Sequence, residues 1–98
     1  MDATDEGSFM QRKQVRYSGK VQGVGFRATC RHIATGFTVT GWVQNEPDGT
    51  VLLEAQGTNE EVERFLIEVG RVLGRNIENE FKLDIPAIPN EGGFVIRR

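Results

Sequence analysis

Arg27 and Asn45 stand eighteen positions apart in a 98-residue chain, and their side chains suit one kind of task. A guanidinium is a permanently charged fork that can hold two oxygens of a phosphoryl group. A carboxamide offers a donor and an acceptor but transfers no proton at neutral pH, so its chemical use is to orient a water or a ligand. Just ahead of Arg27 runs Gly19-Lys20-Val21-Gln22-Gly23-Val24-Gly25, with three glycines in seven positions, which rules out regular helix or strand. Successive backbone N–H groups in such a turn, where it opens a helix, make an anion-binding concavity aided by the helix's positive end. Phosphate is the obvious guest. From spacing alone two readings stand side by side: an anion site, or a tight turn with Arg27 as a solvated charge. Asn45 likewise reads either as an orienting group or as a turn asparagine ahead of Glu46-Pro47.

Other chemistry-bearing residues read more plainly. Gly23-x-Gly25-x-x-Ala28 with Glu46 eighteen residues after Ala28 imitates a dinucleotide fingerprint. The parallel βαβ units that should follow are replaced by a Pro-Asp-Gly hairpin. Cys30 and His32 lie about 200° apart around a helix, which does not favour a nucleophile–base dyad; Cys30 is expected in the core and His32 in solvent. Glu60, Glu61 and Glu63 suit the first turn and solvent face of a helix, where negative charge complements the dipole. Trp42 reads as core rather than as a binding platform. No His, Asp or Glu cluster has metal-ligand spacing, so no metal is expected.

The elements that must position Arg27 and Asn45 follow from periodicity. Val15 and Tyr17 alternate with polar residues up to Ser18, a strand. Phe26, Thr29, Cys30, Ile33 and Phe37 recur at helical spacing, predicting a helix of about eleven residues stopped near Gly36. Val39 to Asn45 forms a second strand. Asn45-Glu46-Pro47-Asp48-Gly49 then supplies turn chemistry, so Thr50 to Gln56 returns antiparallel. Thr58 and Glu61 have capping-box spacing, with Thr58 as N-cap and Glu61 reaching back. Val62, Phe65, Leu66, Val69, Val72 and Leu73 fall on one face of the second helix, before Gly74. Phe81, Leu83 and Ile85 alternate in a fourth strand, and Phe94 to Ile96 can add a short edge strand. The order is that of an α+β, ferredoxin-like βαββαβ sandwich: an antiparallel sheet with two helices on one face. A right-handed first crossover makes strands one and two parallel. Their C-terminal ends then share one sheet edge, placing Arg27 and Asn45 roughly 10 Å apart if one strand lies between.

Composition bounds the function. The chain is 38% hydrophobic and 27% charged with a formal net charge of −2, which describes one small domain. Burying roughly 60–65% of its unfolded surface, it has room for one core between two layers but not for a large cofactor cavity. Asp2, Asp5 and Glu6 are the charged side chains of residues 1–11, so setting these three aside from −2 leaves residues 12–98 at +1. A polyanion partner would leave a clustered basic face, so no nucleic acid is expected. The third strand, Thr-Val-Leu-Leu-Glu-Ala-Gln, also lacks the aromatics on which an RNA-recognition sheet stacks bases. No apolar run approaches the roughly 20 residues that cross a bilayer. The opening lacks signal-peptide character, and a single cysteine excludes an internal disulfide. A cytoplasmic protein is expected, with residues 1–11 a flexible tail and residues 12–98 the domain.

The segment Gly19-Lys20-Val21-Gln22-Gly23-Val24-Gly25-Phe26-Arg27, followed by Gly41-Trp42-Val43-Gln44-Asn45-Glu46-Pro47-Asp48-Gly49-Thr50-Val51, closely resembles the two signature motifs of acylphosphatases. The likeness extends over nearly all of residues 14–98, with Gly93-Phe94-Val95-Ile96-Arg97 similar to the family's closing strand. The resemblance implies hydrolysis of the carboxyl–phosphate bond of small acyl phosphates without metal or cofactor, by a monomer. It implies that Arg27 binds phosphate and Asn45 orients the attacking water. The backbone amides of Gln22, Gly23, Val24, Gly25 and Phe26 would complete the cradle. The inventory suits that chemistry, because a carboxylate leaves readily and positioning and charge balance are what remain. A non-catalytic module that holds phosphate or carbamoyl phosphate on the same fold is the alternative. One departure is local: Phe37-Thr38-Val39 stands where the family commonly has Leu-Gly-Leu. It would cost up to about 1 kcal/mol if Thr38 had to adopt positive φ, unless the turn is displaced.

Overall fold

The computed structural model describes residues 10–98, in the order β1 (Met10–Gly19), α1 (Phe26–Ala34), β2 (Thr40–Asn45), β3 (Val51–Thr58), α2 (Asn59–Leu73), β4 (Ile77–Ile85) and β5 (Phe94–Arg97), with a 3-10 turn, Gly74–Asn76, after α2. The five strands form one sheet in the order β4-β1-β3-β2-β5. β3 pairs antiparallel with both β1 and β2, and β1 with β4, whereas β5 lies parallel to β2. The expected fold class is therefore present, with a fifth strand that makes the sheet mixed rather than antiparallel throughout. β1 begins two residues before the expected start of the domain at residue 12, because Met10 and Gln11 continue the ladder opposite Thr58 and Gly57. The rest of the expected tail, residues 1–9, lies outside the described residues.

Alternation decides what each sheet face carries. Val15 and Tyr17 of β1, Val43 of β2, and Val51, Leu53 and Ala55 of β3 face the helices and are buried with Phe26, Cys30 and Ala34 of α1 and Val62, Phe65, Leu66, Val69 and Leu73 of α2. Phe65 is fully buried and meets Phe37 and Phe94 at centroid distances of 6.0 and 5.4 Å. Burial of such a side chain stabilises by about 1.5–3 kcal/mol. Cys30 is in this core and His32 is exposed, as expected. Val72, expected on the buried face of α2, is 43% exposed, since at about 100° per residue it falls at the margin of the stripe centred on Val62, Val69 and Leu73.

The opposite face corrects two expectations. Trp42 is buried, but its neighbour Val43 takes the helix side, and a period of two sends Trp42 to the other. There it lies under the Arg97 guanidinium, 4.3 Å from the ring centroid, outside the helix-side core. Phe81 and Leu83 pair opposite Arg16 and Gln14, which turns them to the same open face. β4 is an edge strand, and these two side chains stay 64% and 58% exposed.

The end of α1 also differs from expectation. The helix stops at Ala34, and the turn unwinds through i,i+3 bonds from Gly36 N to Ile33 O and from Phe37 N to Ala34 O. Among the described non-glycine residues only Asn90 has positive φ, so Thr38 carries no left-handed strain. Its N–H donates to Glu61 Oε1 at 2.7 Å. The Thr58 hydroxyl caps α2 by accepting from Glu61 N at 3.3 Å. Glu61, expected to reach back to its own cap, thus uses its carboxylate to hold the segment after α1.

Candidate active site

β1, β2 and β5 run in one sense, so their C-terminal ends gather at one edge of the sheet. Each delivers part of a cavity of about 240 Å³. The segment after β1 contributes Gly23 and Gly25, and the start of α1 contributes Phe26 and Arg27. β2 contributes its last residue, Asn45, and the C-terminal segment contributes Ile96 and Arg98. The structure thus brings Arg27 and Asn45 to one cavity. Gln22 and Val24, expected among the cradle residues through their amides, are not among its walls; Val24 is 47% exposed.

The loop has this shape for a backbone reason. Gly23 and Gly25 have φ of 78° and 79°, a left-handed conformation that side chains disfavour by roughly 1–2 kcal/mol. A Cβ at either position would meet nothing within 4 Å, so conformation and not crowding selects glycine. At the other end of the loop Phe26 packs its ring 5.1 Å from that of buried Tyr17. Burial holds the Tyr17 phenol well above its ordinary pKa, with no role at the site.

The electrostatics favour an anion. Gly25 is the N-cap of α1 and supplies no side-chain cap, and no acidic residue lies in the first turn. The first-turn N–H groups of a helix lack intrahelical partners, so here they remain available beside Arg27. α2 shows the contrasting arrangement, a capping hydroxyl from Thr58 with Glu60 and Glu61 in its first turn. Arg27 is half-buried and donates through Nη1 to the carbonyl of Arg97 at 3.4 Å. Among the described residues, the ion pairs formed by arginine and lysine engage Arg12, Lys13, Arg16, Arg64, Arg71 and Lys82, not Arg27.

Asn45 is placed by the hairpin that follows it. Glu46 N donates to Thr50 O at 2.9 Å and Gly49 N to Glu46 O at 3.1 Å. Asp48 accepts from both the hydroxyl and the N–H of Thr50, at 2.6 and 3.0 Å, which lowers its carboxyl pKa. Gln44 Nε2 donates to Glu46 Oε2 at 2.6 Å. The remaining sequence candidates take structural places. Glu63 pairs with Lys13, and Glu61 with Arg64. Burial pushes the Cys30 thiol up to about 12, leaving it un-ionised at neutral pH. Among the described residues no group of three or more His, Cys, Asp or Glu could hold a metal ion.

Val21 and Ala28, next to the expected cradle and to Arg27, also line the cavity, and from a distant part of the chain the sequence reading missed Ile96 and Arg98. Their local sequence carries no site signal. Only the parallel docking of β5 beside β2 reveals them.

Comparison with known proteins bears on this geometry. The family model described as acylphosphatase matches residues 13–96. The chain is 50% identical over 60 residues to an acylphosphatase from Oceanobacillus iheyensis, 61% of this chain and 66% of that protein. It is 37% identical over 90 residues to one from Clostridium acetobutylicum, 89% of this chain and 97% of that protein. The structure of an acylphosphatase from Coxiella burnetii is similar with a TM-score of 0.76 at 28% identity, over 96% of this chain and 99% of that one. With the family's model spanning nearly all of the described fold, and with the Clostridium acetobutylicum relative matched along 97% of its length, the chain belongs to the acylphosphatase family.

Proposed function

We propose that the cavity at the C-terminal ends of β1, β2 and β5 is where this protein carries out the family's reaction, hydrolysis of small acyl phosphates to carboxylate and inorganic phosphate. The observation that carries the reading is the convergence of Arg27, the uncapped start of α1 and Asn45 on one cavity. Arg27 binds two phosphoryl oxygens as a bidentate clamp. The amides of Gln22, Gly23, Val24, Gly25 and Phe26 complete the cradle and offset charge on the remaining oxygens. Asn45 hydrogen-bonds the attacking water and aims it at phosphorus, opposite the leaving carboxylate. The water oxygen bonds to phosphorus as the phosphorus–carboxylate oxygen bond breaks, and the water's proton passes to phosphate or solvent. No side chain need accept it, since alignment and charge balance supply the rate. In this reading the protein works without metal, as a cytoplasmic monomer, with no nucleic-acid or membrane partner. No helix among the described residues is long and apolar enough to cross a membrane.

The test is hydrolysis of benzoyl phosphate in excess chelator, with sedimentation for the monomer. Chelator-resistant turnover is expected from the wild type. Arg27→Ala should weaken inorganic phosphate about 100-fold, as loss of a charge-assisted bidentate contact implies. Asn45→Ala should lower kcat about 100-fold while phosphate inhibits at nearly its wild-type concentration. Wild-type rates in both variants would remove these two residues from the mechanism. Phosphate binding by a folded wild type that turns over no acyl phosphate would make the protein a binding module instead.

A further inference from the structure

Gln22 belongs to the glycine loop by sequence, yet its side chain is directed at the other half of the site. Its Nε2 donates to the main-chain carbonyls of Glu46 and Thr50, each at 2.8 Å. These two residues flank the turn that follows Asn45, and they are themselves joined by the bond from Glu46 N to Thr50 O. Among the described residues, these two are the side-chain hydrogen bonds that tie residues 20–25 to the β2–β3 hairpin. The residue type fits the task closely. A terminal NH₂ has two donors, and each has its own carbonyl. A carboxylate of the same shape would set acceptor against acceptor, and a methionine of similar length would donate nothing. The bonds are half-buried, where loss of a donor leaves the two carbonyls without those partners.

We propose that Gln22 is a positioning residue: its carboxamide holds the Asn45 hairpin in register with the phosphate cradle, so that Asn45 aims its water at a phosphoryl group the loop has already fixed. The inference rests on the site reading above and adds to it a side chain that touches neither phosphate nor water, on a residue whose backbone amide that reading already places in the cradle. The cradle amides, that of Gln22 included, and Arg27 set phosphate affinity, so the loss of the Gln22 carboxamide alone spares that affinity. The angle between water and phosphorus depends on how loop and hairpin sit together, and small misplacements there are costly in rate.

The test is a double-mutant cycle of Gln22→Met with Asn45→Ala, read as kcat and KM for benzoyl phosphate and as inhibition by inorganic phosphate. Gln22→Met is expected to lower kcat about tenfold, with KM and the phosphate inhibition constant changed less than about twofold. In the Asn45→Ala background it should change kcat no further, because the group it acts through is gone. An unchanged kcat in Gln22→Met would overturn the inference. So would the same tenfold loss in the Asn45→Ala background, or a matching loss of phosphate affinity. Should Gln22→Met not fold, the neutral Gln22→Leu reads the same split of kcat against phosphate inhibition and is judged by the same outcomes. A wild-type kcat in Asn45→Ala would instead sink the site reading and the inference with it. A slow Asn45→Ala with additive effects sinks only the role of Gln22.

Discussion

In the mechanism proposed for this cavity, the Arg27 position asks for a guanidinium and not merely a positive charge. Arg27 stands beside an uncapped helix start and spends one long hydrogen bond on the Arg97 carbonyl, so most of its five donors remain for a phosphoryl group. Lysine would keep the charge as a compact, strongly hydrated point and lose the fork. Arg27→Lys is therefore expected to weaken inorganic phosphate about tenfold, nearer to the wild type than Arg27→Ala, because roughly one charge-assisted hydrogen bond, worth about 1.5 kcal/mol, is lost rather than the whole contact. Phosphate inhibition of benzoyl phosphate hydrolysis measures this directly, and equal affinities for arginine and lysine would show that only charge matters. At this scale the sequence was informative where residue type declares chemistry: an arginine at a helix start, glycines that take a left-handed φ without the cost a side chain adds, an asparagine closing a strand. It was silent on the side chain of Gln22, whose partners are backbone carbonyls 24 and 28 residues away. A carbonyl has the same identity in every residue, so such a bond leaves no mark in the partner's type.

The two helices show how local chemistry divides their labour. α1 begins on Gly25 without a side-chain cap or an acidic first turn, and α2 begins on Thr58 with Glu60 and Glu61. The first arrangement leaves amides open to an anion, and the second satisfies them for stability alone. Thr58→Ala should thus destabilise the protein by about 1 kcal/mol in urea unfolding, with kcat unchanged because Thr58 stands outside the cavity walls. A large fall in kcat at full stability would contradict that division. The elements themselves were legible because strands and helices repeat over neighbours two, three or four positions apart. Their ends were less so. α1 stops at Ala34, short of the expected glycine stop, and Glu61 leaves its expected capping bond for Thr38. That carboxylate is 23 residues from the amide it satisfies, beyond the reach of any local pattern.

Across the whole molecule, the segment between β4 and β5 is held against the open sheet face by three strands at once. Arg12 of β1, only 3% exposed, donates to Glu54 of β3 and to both carboxylate oxygens of Glu91. Thr40 of β2 also donates to Glu91, at 2.7 Å, and Gln56 of β3 exchanges hydrogen bonds with both the N–H and the carbonyl of Ile88. This attachment delivers β5 alongside β2, and with it Ile96 and Arg98 to the cavity. Burial would raise the Glu91 carboxyl, but the hydrogen bonds from Arg12 and Thr40 outweigh it and hold the group below its ordinary value of 4.5. A carboxyl lowered on folding stabilises in full above its unfolded pKa and loses that contribution as pH falls through the folded one. Between about pH 5 and pH 3 the wild type should therefore lose more unfolding free energy than Glu91→Gln, by at most about 2 kcal/mol, the ceiling for one carboxyl over that span. Parallel pH profiles for the two proteins in urea unfolding would show that the pair contributes nothing. The sequence by itself determined the elements, their order, the glycine loop and the candidates Arg27 and Asn45, since periodicity, turn chemistry and side-chain type are local properties. Only the tertiary structure decided that Arg12 and Trp42 are buried on the face away from the helices, that Phe81 and Leu83 stay exposed, and that the C-terminal strand walls the cavity. Those outcomes depend on strand order and register, and so on pairs as distant as Arg12 and Glu91, 79 residues apart, whose meeting no local pattern encodes.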